Sequence, residues 1–339
     1  MSKKNEDDEI IVWDKVSKRW ISIAVLMTVF ALLSPLIFTQ DWSFVSFKET
    51  GTIGDTIGGI MNPFISIGVG ILTFLAFYMQ MQANATQRIL FKKEFKEQRI
   101  QFMKTLFENQ FYEMLRLHRS NVDELSVTFS DPETYKPQDL TGRSVFEHLK
   151  NEIEMYLTFG NSANLISDAY KLFFDGIGVL DENNEFKTNY NAASEAYRQG
   201  TQEWESYVSK NNISQPIKVN SNQEINRGHA NQLGHYYRHI YQTVKFVAKQ
   251  NEEFISCEEK QNYLTILRAQ LSNDEQVLLF YNWKSGYGSK WEDDKHNFFS
   301  QYKMIHNVYP SMVHQLFDLK TIFQSQLKKY PDMFDFNQE

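Results

Sequence analysis

The stretch GTIGDTIGGIMNPFISIGVGILTFLAFYMQ, residues 51–80, decides the fold, because it ends as an apolar membrane span and begins with polar and small residues. A second apolar run without charge, WISIAVLMTVFALLSPLIF, occupies residues 20–38. A bilayer core requires about 20 such residues in a helix. The two runs therefore predict a transmembrane hairpin, with its second span near residues 60–79.

Basic residues set the predicted orientation of this hairpin. Three lie just before the first span and five lie soon after the second, whereas the connecting segment has only Lys48. Lysine and arginine favour the cytoplasmic side of a membrane. We therefore expect both termini in the cytoplasm, with a tail at 1–19, the hairpin at 20–82, a helical stalk at 83–128 and an α-helical cytosolic domain at 129–339.

One face of the second span is polar. Small and polar residues recur at steps of three or four, which places them on one side of a helix: Asp55, Gly59, Asn62, Ser66, Gly70 and Thr73. Gly54 and Gly58 add a GxxxG pair, and Pro63 predicts a kink. Two interpretations stay open: a packing seam against the first span or a second copy, and a stripe that lines a water-filled path in an oligomer.

The rest of the chain predicts a mainly α-helical protein. Helical spacing marks the stalk to about residue 127, and then residues 142–159, 164–174, 186–208, 228–249, 257–272, 273–283, 291–307 and 310–328. Residues 131–141 and 215–227 are predicted loops, and no strand is predicted. The formal net charge of −7 argues against nucleic-acid binding through bulk electrostatics. The lone cysteine, Cys257, fits a reducing compartment.

Two histidine patterns are candidate chemistry. His235 and His239 have the i, i+4 spacing of helical metal ligands, but no third ligand is marked. Arg143 and His148 stand in R-S-V-F-E-H, which resembles the Arg-x(4–6)-His pattern of the HEPN ribonucleases. Hydrogen-bonded packing histidines are the alternative in both cases, and neither a metal nor a cofactor is predicted.

A third candidate lies in YLTILRAQLSNDEQVLLFYNW, residues 263–283. Arg268 and Glu275 are seven residues apart among leucines, so on one continuous helix they would share a face, and Arg238 could join them. Such buried charges require partners. A structural ion network and a pocket for an anionic or polar ligand are the two interpretations.

Four segments together resemble the phage abortive infection proteins of the AbiC type. They are the second span, GRSVFEHL at Gly142, LGHYYRHIYQTVKF at Leu233 and the segment from Tyr263, and they cover residues 44–283. The pattern positions are Gly142, Arg143, Gly234, His235, Tyr236, Arg238, Tyr241, Arg268, Ala269, Gln270, Leu271, Ser272, Glu275, Phe280, Tyr281 and Asn282. Beyond residue 283 no resemblance is apparent.

The resemblance implies a bacterial anti-phage defence protein in the inner membrane. We expect the cytosolic domain to sense infection or a partner, which leaves open a phage protein or a separate sensor module such as a retron. The hairpins of a homo-oligomer, in contact with membrane lipids, would then disrupt the membrane or transmit a signal. A membrane-tethered ribonuclease and a non-enzymatic sensor or scaffold are the alternatives, so the sequence leaves enzymatic activity open while favouring a role without one.

Overall fold

The computed structural model describes residues 6–38, 53–130, 137–160, 164–199, 206, 209 and 228–337, and the described chain is mainly helical, as predicted. It divides into unit 1, Met1–Arg99, and unit 2, Ile100–Glu339. The predicted loop at 215–227 lies outside the described residues. The division of the chain predicted from the sequence stays a prediction.

In unit 1, helix α1 spans Glu6–Phe38, and helix α2 begins at Ile53 and ends at Asp123. Both contain a stretch long and apolar enough to cross a membrane by length and composition, with mean hydropathies of 2.3 and 1.9. Phe30 and Phe64 pack edge to face with ring centroids 5.0 Å apart. Gly68 lies against Thr28, whose hydroxyl is 3.7 Å from where a Cβ would stand, so small residues bring the two helices close.

In unit 2, the end of α2 is followed by an antiparallel hairpin of β1, Ser126–Ser130, and β2, Pro137–Thr141. The next helices are α3 (Ser144–Tyr156), α4 (Leu165–Asp175), α5 (Glu185–Gln199), α6 (Ala230–Ala248), α7 (Cys257–Arg268) and α8 (Asn273–Lys284). Short 3-10 turns lie at Ile177–Val179, Ser289–Trp291, Pro310–Met312 and Asp335–Asn337, and two short helices, α9 (Leu319–Ile322) and α10 (Gln324–Lys329), lie near the C-terminus.

Helix α8 is at the centre of the core of unit 2. Every residue from Glu275 to Asn282 is buried, and the helix packs against α3 and α4. The last turns of α2 close another side, where the Phe107 and Phe111 rings lie 4.9 and 5.2 Å from the Tyr263 ring of α7. Aromatic burial of this kind supplies much of the hydrophobic stabilisation of a helical core.

Three predictions about secondary structure are wrong. The first is that the chain has no strand. The stalk helix ends at Asp123, before the predicted end near residue 127, and β1 follows it. Part of the segment 131–141, predicted as a loop, forms β2. Val127 and Phe129 alternate with polar residues, which is the strand period, but they also continue the apolar spacing of the preceding helix. The Thr128 hydroxyl donates to the Asp139 carboxylate across the hairpin at 2.6 Å.

The helix predicted at 291–307 does not form. The buried Glu292 carboxylate instead accepts hydrogen bonds from the backbone amides of Phe299 and Ser300, at 3.0 and 3.1 Å. Asp293 accepts from the amides of Lys295 and His296 at 2.8 and 2.7 Å. These side chains compete with the helical backbone for the same donors, so the chain folds around the two carboxylates.

The last predicted helix, 310–328, is broken into a 3-10 turn and the short helices α9 and α10. The Tyr281 hydroxyl accepts from the His314 amide at 2.8 Å and holds the chain out of helical geometry there. Helix formation restarts at Asp318, whose side chain accepts from the Lys320 amide and acts as an N-cap.

Gly228 is the tightest backbone position before α6. Its φ is +61°, and a Cβ there would lie 2.3 Å from the Phe174 carbonyl oxygen. Gly142 has the same kind of φ, +63°, but faces open space. A side chain at either position would strain the backbone, but only at Gly228 would it also overlap with neighbouring atoms. Substituting the two glycines therefore distinguishes the two effects.

We expect Gly228→Ala to destabilise unit 2 by about 3 kcal/mol or more, because overpacking adds to left-handed strain. Gly142→Ala, the matched control, should cost only about 1–2 kcal/mol. Thermal unfolding of the detergent-solubilised chain, followed by the fluorescence of Trp283 and Trp291, measures both. Equal shifts in the two midpoints would contradict this assignment.

Candidate functional site

The polar face of α2 in unit 1 points away from α1. Gly59, Asn62, Pro63, Ser66, Gly70 and Thr73 are exposed, and no atom lies within 4 Å of a Cβ added to Gly58, Gly59 or Gly70. The residues that approach α1, such as Phe64, Gly68 and the buried Leu75, lie about half a turn away. Of the two packing partners that the sequence left open, α1 is therefore not the one that covers this face.

The Asn62 side chain places an amide group on this face. Within the described ranges its amide has no hydrogen-bond partner, whereas the Thr73 hydroxyl is satisfied by the Val69 carbonyl at 2.8 Å. Asp55 lies in the first turn of α2 and its side chain is exposed. A carboxamide in hydrocarbon without a partner costs several kcal/mol, roughly 4–8 on a cyclohexane scale.

In unit 2, a polar cleft of about 480 Å³ lies between the end of α2 and the first half of α6. Its lining residues are Asn121, Glu124 and Leu125 from the α2 side, and Gln232, His235, Tyr236 and His239 from α6. The four α6 residues share one helical face because their spacing is three, one and three. Three of them are predicted site residues, and the α2 side was missed.

The two histidines of the cleft are each held by one hydrogen bond. His239 Nε2 lies 2.9 Å from the Met114 carbonyl oxygen on α2, and His235 Nδ1 lies 3.4 Å from an Arg238 guanidinium nitrogen. The His239 bond joins α6 to α2, whereas His235 is exposed and its bond stays within α6. Among the described residues, no group of three or more His, Cys, Asp or Glu side chains could hold a metal ion.

His118 of α2 lies directly behind the cleft and is its most unusual neighbour. The ring is nearly parallel to that of His239, with centroids 6.3 Å apart, and lies 5.7 Å from the Tyr236 ring. The residue is only 1 % exposed, and neither ring nitrogen has a hydrogen-bond partner in the described part of the chain. Burial first, and then His239, Arg143 and Arg119, lowers the pKa of His118 to about 4.

Tyr236 connects the cleft to a buried carboxylate. Its hydroxyl donates to Glu275 Oε1 at 2.8 Å, and Glu275 Oε2 accepts from the Ser272 amide at 2.5 Å. Ser272 Oγ accepts in return from the Glu275 amide, which completes a capping box at the start of α8. Burial raises the pKa of Glu275, although its hydrogen bonds and Arg143 favour the charged form.

The other predicted site residues are positioned separately. Arg268 donates to the Lys303 carbonyl at 3.2 Å, and Arg238 donates to the Gly234 carbonyl at 3.0 Å. The interpretation of Arg238, Arg268 and Glu275 as one network is therefore wrong. Helix α7 ends at Arg268 and α8 begins at Asn273, so Arg268 and Glu275 do not share a helical face.

Gln270, in the turn between α7 and α8, is held by two arginines. Arg143 donates to its carbonyl oxygen at 2.8 Å, and Arg119 donates to its side-chain oxygen at 3.0 Å. His148, by contrast, lies one turn before the partly buried Glu152 on α3. His229, Tyr156 and His148 together lower the pKa of the Glu152 carboxyl against the effect of burial. Arg143 and His148 thus lie in different surroundings.

Tyr281 and Asn282 of α8 have structural partners. The Tyr281 hydroxyl donates to Glu154 Oε1 at 2.9 Å, and the Asn282 amide donates to the Tyr170 hydroxyl at 2.8 Å. Both side chains are buried. They fix α8 against α3 and α4 and do not reach the cleft.

Comparison with known proteins gives one family match, which lies within unit 2. Residues 228–313 match the model of a family described as "Putative phage abortive infection protein". The resemblance found in the sequence is confirmed over this region and extends past residue 283, where the sequence alone indicated none. No curated protein and no solved structure matches the chain.

The position of His118 predicts a specific pH dependence of folding. A histidine with a folded pKa of about 4, against 6.5 when unfolded, takes up its proton preferentially in the unfolded chain. Stability is therefore complete above pH 6.5 and is lost as the pH falls towards 4. By pH 4.5 the contribution lost is about 2 kcal/mol.

We expect His118→Phe to remove this pH-dependent contribution to the free energy of unfolding. The variant should be as stable as the wild type or more stable at pH 7.5, because an unsatisfied buried donor and acceptor is replaced by an apolar ring. The difference should grow by about 2 kcal/mol in favour of the variant at pH 4.5. Thermal unfolding at both pH values measures it, and a pH-independent difference would contradict the assignment.

Proposed function

We propose that this protein is a membrane-anchored effector of phage abortive infection. Helix α1 and the first part of α2 cross the bacterial inner membrane, and the tail and unit 2 lie in the cytoplasm. The observation that carries the proposal is the polar face of α2, which is exposed on the side opposite α1. The family match over residues 228–313 supports the role in phage defence.

The energetics of the polar face support an oligomer. Lipid tails cannot satisfy the Asn62 amide, and the glycines of this face allow close approach by another helix. Since α1 packs elsewhere, a second copy of α2 or water has to cover the face. Hairpins that meet along Gly59, Asn62 and Ser66 would place their polar groups together at the centre of an oligomer.

The mechanism follows from a change in that assembly. In the resting state the polar faces of neighbouring copies pack on one another and the membrane stays sealed. Recognition of an infection cue or a partner by unit 2 rearranges the hairpins, so that the same groups line a hydrated leak. Loss of membrane potential then stops growth before phage matures.

The geometry does not favour the ribonuclease alternative. Arg143 donates to the Gln270 carbonyl, and His148 lies one turn from the partly buried Glu152. The sensor or scaffold alternative shares the anchor with our proposal and differs in leaving the membrane potential unchanged.

Membrane potential in infected cells tests the effector role. We expect a potential-sensitive dye to report early depolarisation with the wild type and little or none with Asn62→Leu. Leucine removes the amide group from the polar face. Ile67→Leu, an exposed apolar position off the stripe, is the control and should behave as wild type. Protection with unchanged potential in the wild type would reduce the hairpin to an anchor.

Cysteine cross-linking tests whether the polar face meets a second copy. In a Cys257→Ser background, Ser66→Cys should give disulfide-linked dimers in oxidised membranes. Ile67→Cys, one residue further and about 100° around the helix, should give several-fold fewer. Equal yields at the two positions, or none at either, would show that copies do not meet along this face.

A further inference from the structure

The cleft between α2 and α6 has an unusual set of open hydrogen-bonding groups. His239 Nε2 contacts the Met114 carbonyl oxygen, and a carbonyl only accepts, so Nε2 carries the proton of the neutral ring. His239 Nδ1 is then an acceptor. An Arg238 nitrogen donates to His235 Nδ1, so His235 carries its proton on Nε2.

The remaining polar groups add mostly acceptors. The Gln232 amide nitrogen is used by the Ser126 carbonyl at 2.9 Å, which leaves its Oε1 open. Glu124 Oε1 accepts from the Ser120 hydroxyl at 3.1 Å, and Oε2 is open. The Asn121 amide has no partner in the described part of the chain. The cleft therefore offers one carboxylate and several neutral acceptors, beside the N–H donors of Asn121 and His235.

The arginines nearest this cleft, Arg119, Arg143 and Arg238, do not line it, and each donates to an acceptor of the protein itself. Arg238 donates to the Gly234 carbonyl at 3.0 Å, and its guanidinium lies 3.4 Å from His235 Nδ1 at the edge of the cleft. His118, behind the wall, is neutral at physiological pH because burial lowers its pKa to about 4. Glu124 is thus the one charged side chain among the lining residues.

We propose that this cleft binds a guanidinium group. A guanidinium is planar, always charged and carries five donors in a fixed fork, which suits a carboxylate next to several separate acceptors. It is weakly hydrated and stacks on aromatic faces, and His235, Tyr236 and His239 supply rings in the wall. The volume of about 480 Å³ is in the range of pockets for small ligands.

The guanidinium could come from a free small molecule or from an arginine side chain of a polypeptide. Binding of either would make the cleft a recognition site of unit 2, whatever the hairpin does in the membrane. The site involves none of the residues of the polar face. A negative result for membrane potential therefore does not affect the proposal of a guanidinium site. A negative result for guanidinium binding likewise does not affect the proposal of a membrane leak.

Calorimetric titration of the full chain in lipid nanodiscs tests the proposal. The probes are argininamide, citrullinamide, lysinamide and acetyl-Gly-Gly-Arg-Gly-Gly-amide. Citrullinamide has the shape of argininamide, with a neutral ureido group in place of the guanidinium. We expect at least a tenfold preference for argininamide or the peptide over citrullinamide and lysinamide. A tenfold advantage of the peptide identifies a polypeptide source, and equal binding of argininamide identifies a free one.

Matched variants place the binding in the cleft. Glu124→Gln should weaken binding about tenfold or more with little change in shape. Asp123→Asn removes the same charge from the adjacent exposed position, which does not line the cleft, and should bind as wild type. No preference for the guanidinium probes, or equal loss in the two variants, would overturn the proposal.

Discussion

The buried carboxylate of Glu275 is the constraint on which the fold of unit 2 depends. It is fully buried, so each of its oxygens has to be satisfied within the protein. The Ser272 amide satisfies one and the Tyr236 hydroxyl satisfies the other, which fixes the start of α8 against α6. Since α8 is the most buried helix, this contact also positions α3 and α4 around it. An apolar residue in place of Glu275 would leave the Tyr236 hydroxyl and the Ser272 amide without partners.

Helices with strong apolar periodicity could be predicted from the sequence, and weaker signals could not. The bounds of α6, α7 and α8 agree with the predicted helices to within a few residues, because buried leucines and aromatic rings mark them and Ser272 starts the last. The segment after Trp291 has enough apolar residues for a helix, yet Glu292 and Asp293 bind backbone amides and prevent one. That outcome depends on which side chains reach which donors, which spacing alone does not reveal.

Part of the candidate site was likewise predictable. His235, Tyr236 and His239 were singled out on one helix and do line one cleft, but the motif positions around Arg268 support the core instead. Asn121 and Glu124 belong to no motif, because the sequence predicts the end of α2 only as part of a stalk helix. The orientation of the polar face of α2 needed the structure, since periodicity shows that a stripe exists and not which neighbour it avoids.

The orphaned imidazole of His118 has an evolutionary consequence. A buried donor and acceptor without partners destabilises the folded protein. A phenylalanine codon is only two nucleotide changes from a histidine codon. Drift should therefore erase this histidine wherever nothing selects for it. Related chains that keep histidine there, while varying freely at exposed positions such as Asp123, would be those in which the ring is exposed to a partner during part of the working cycle.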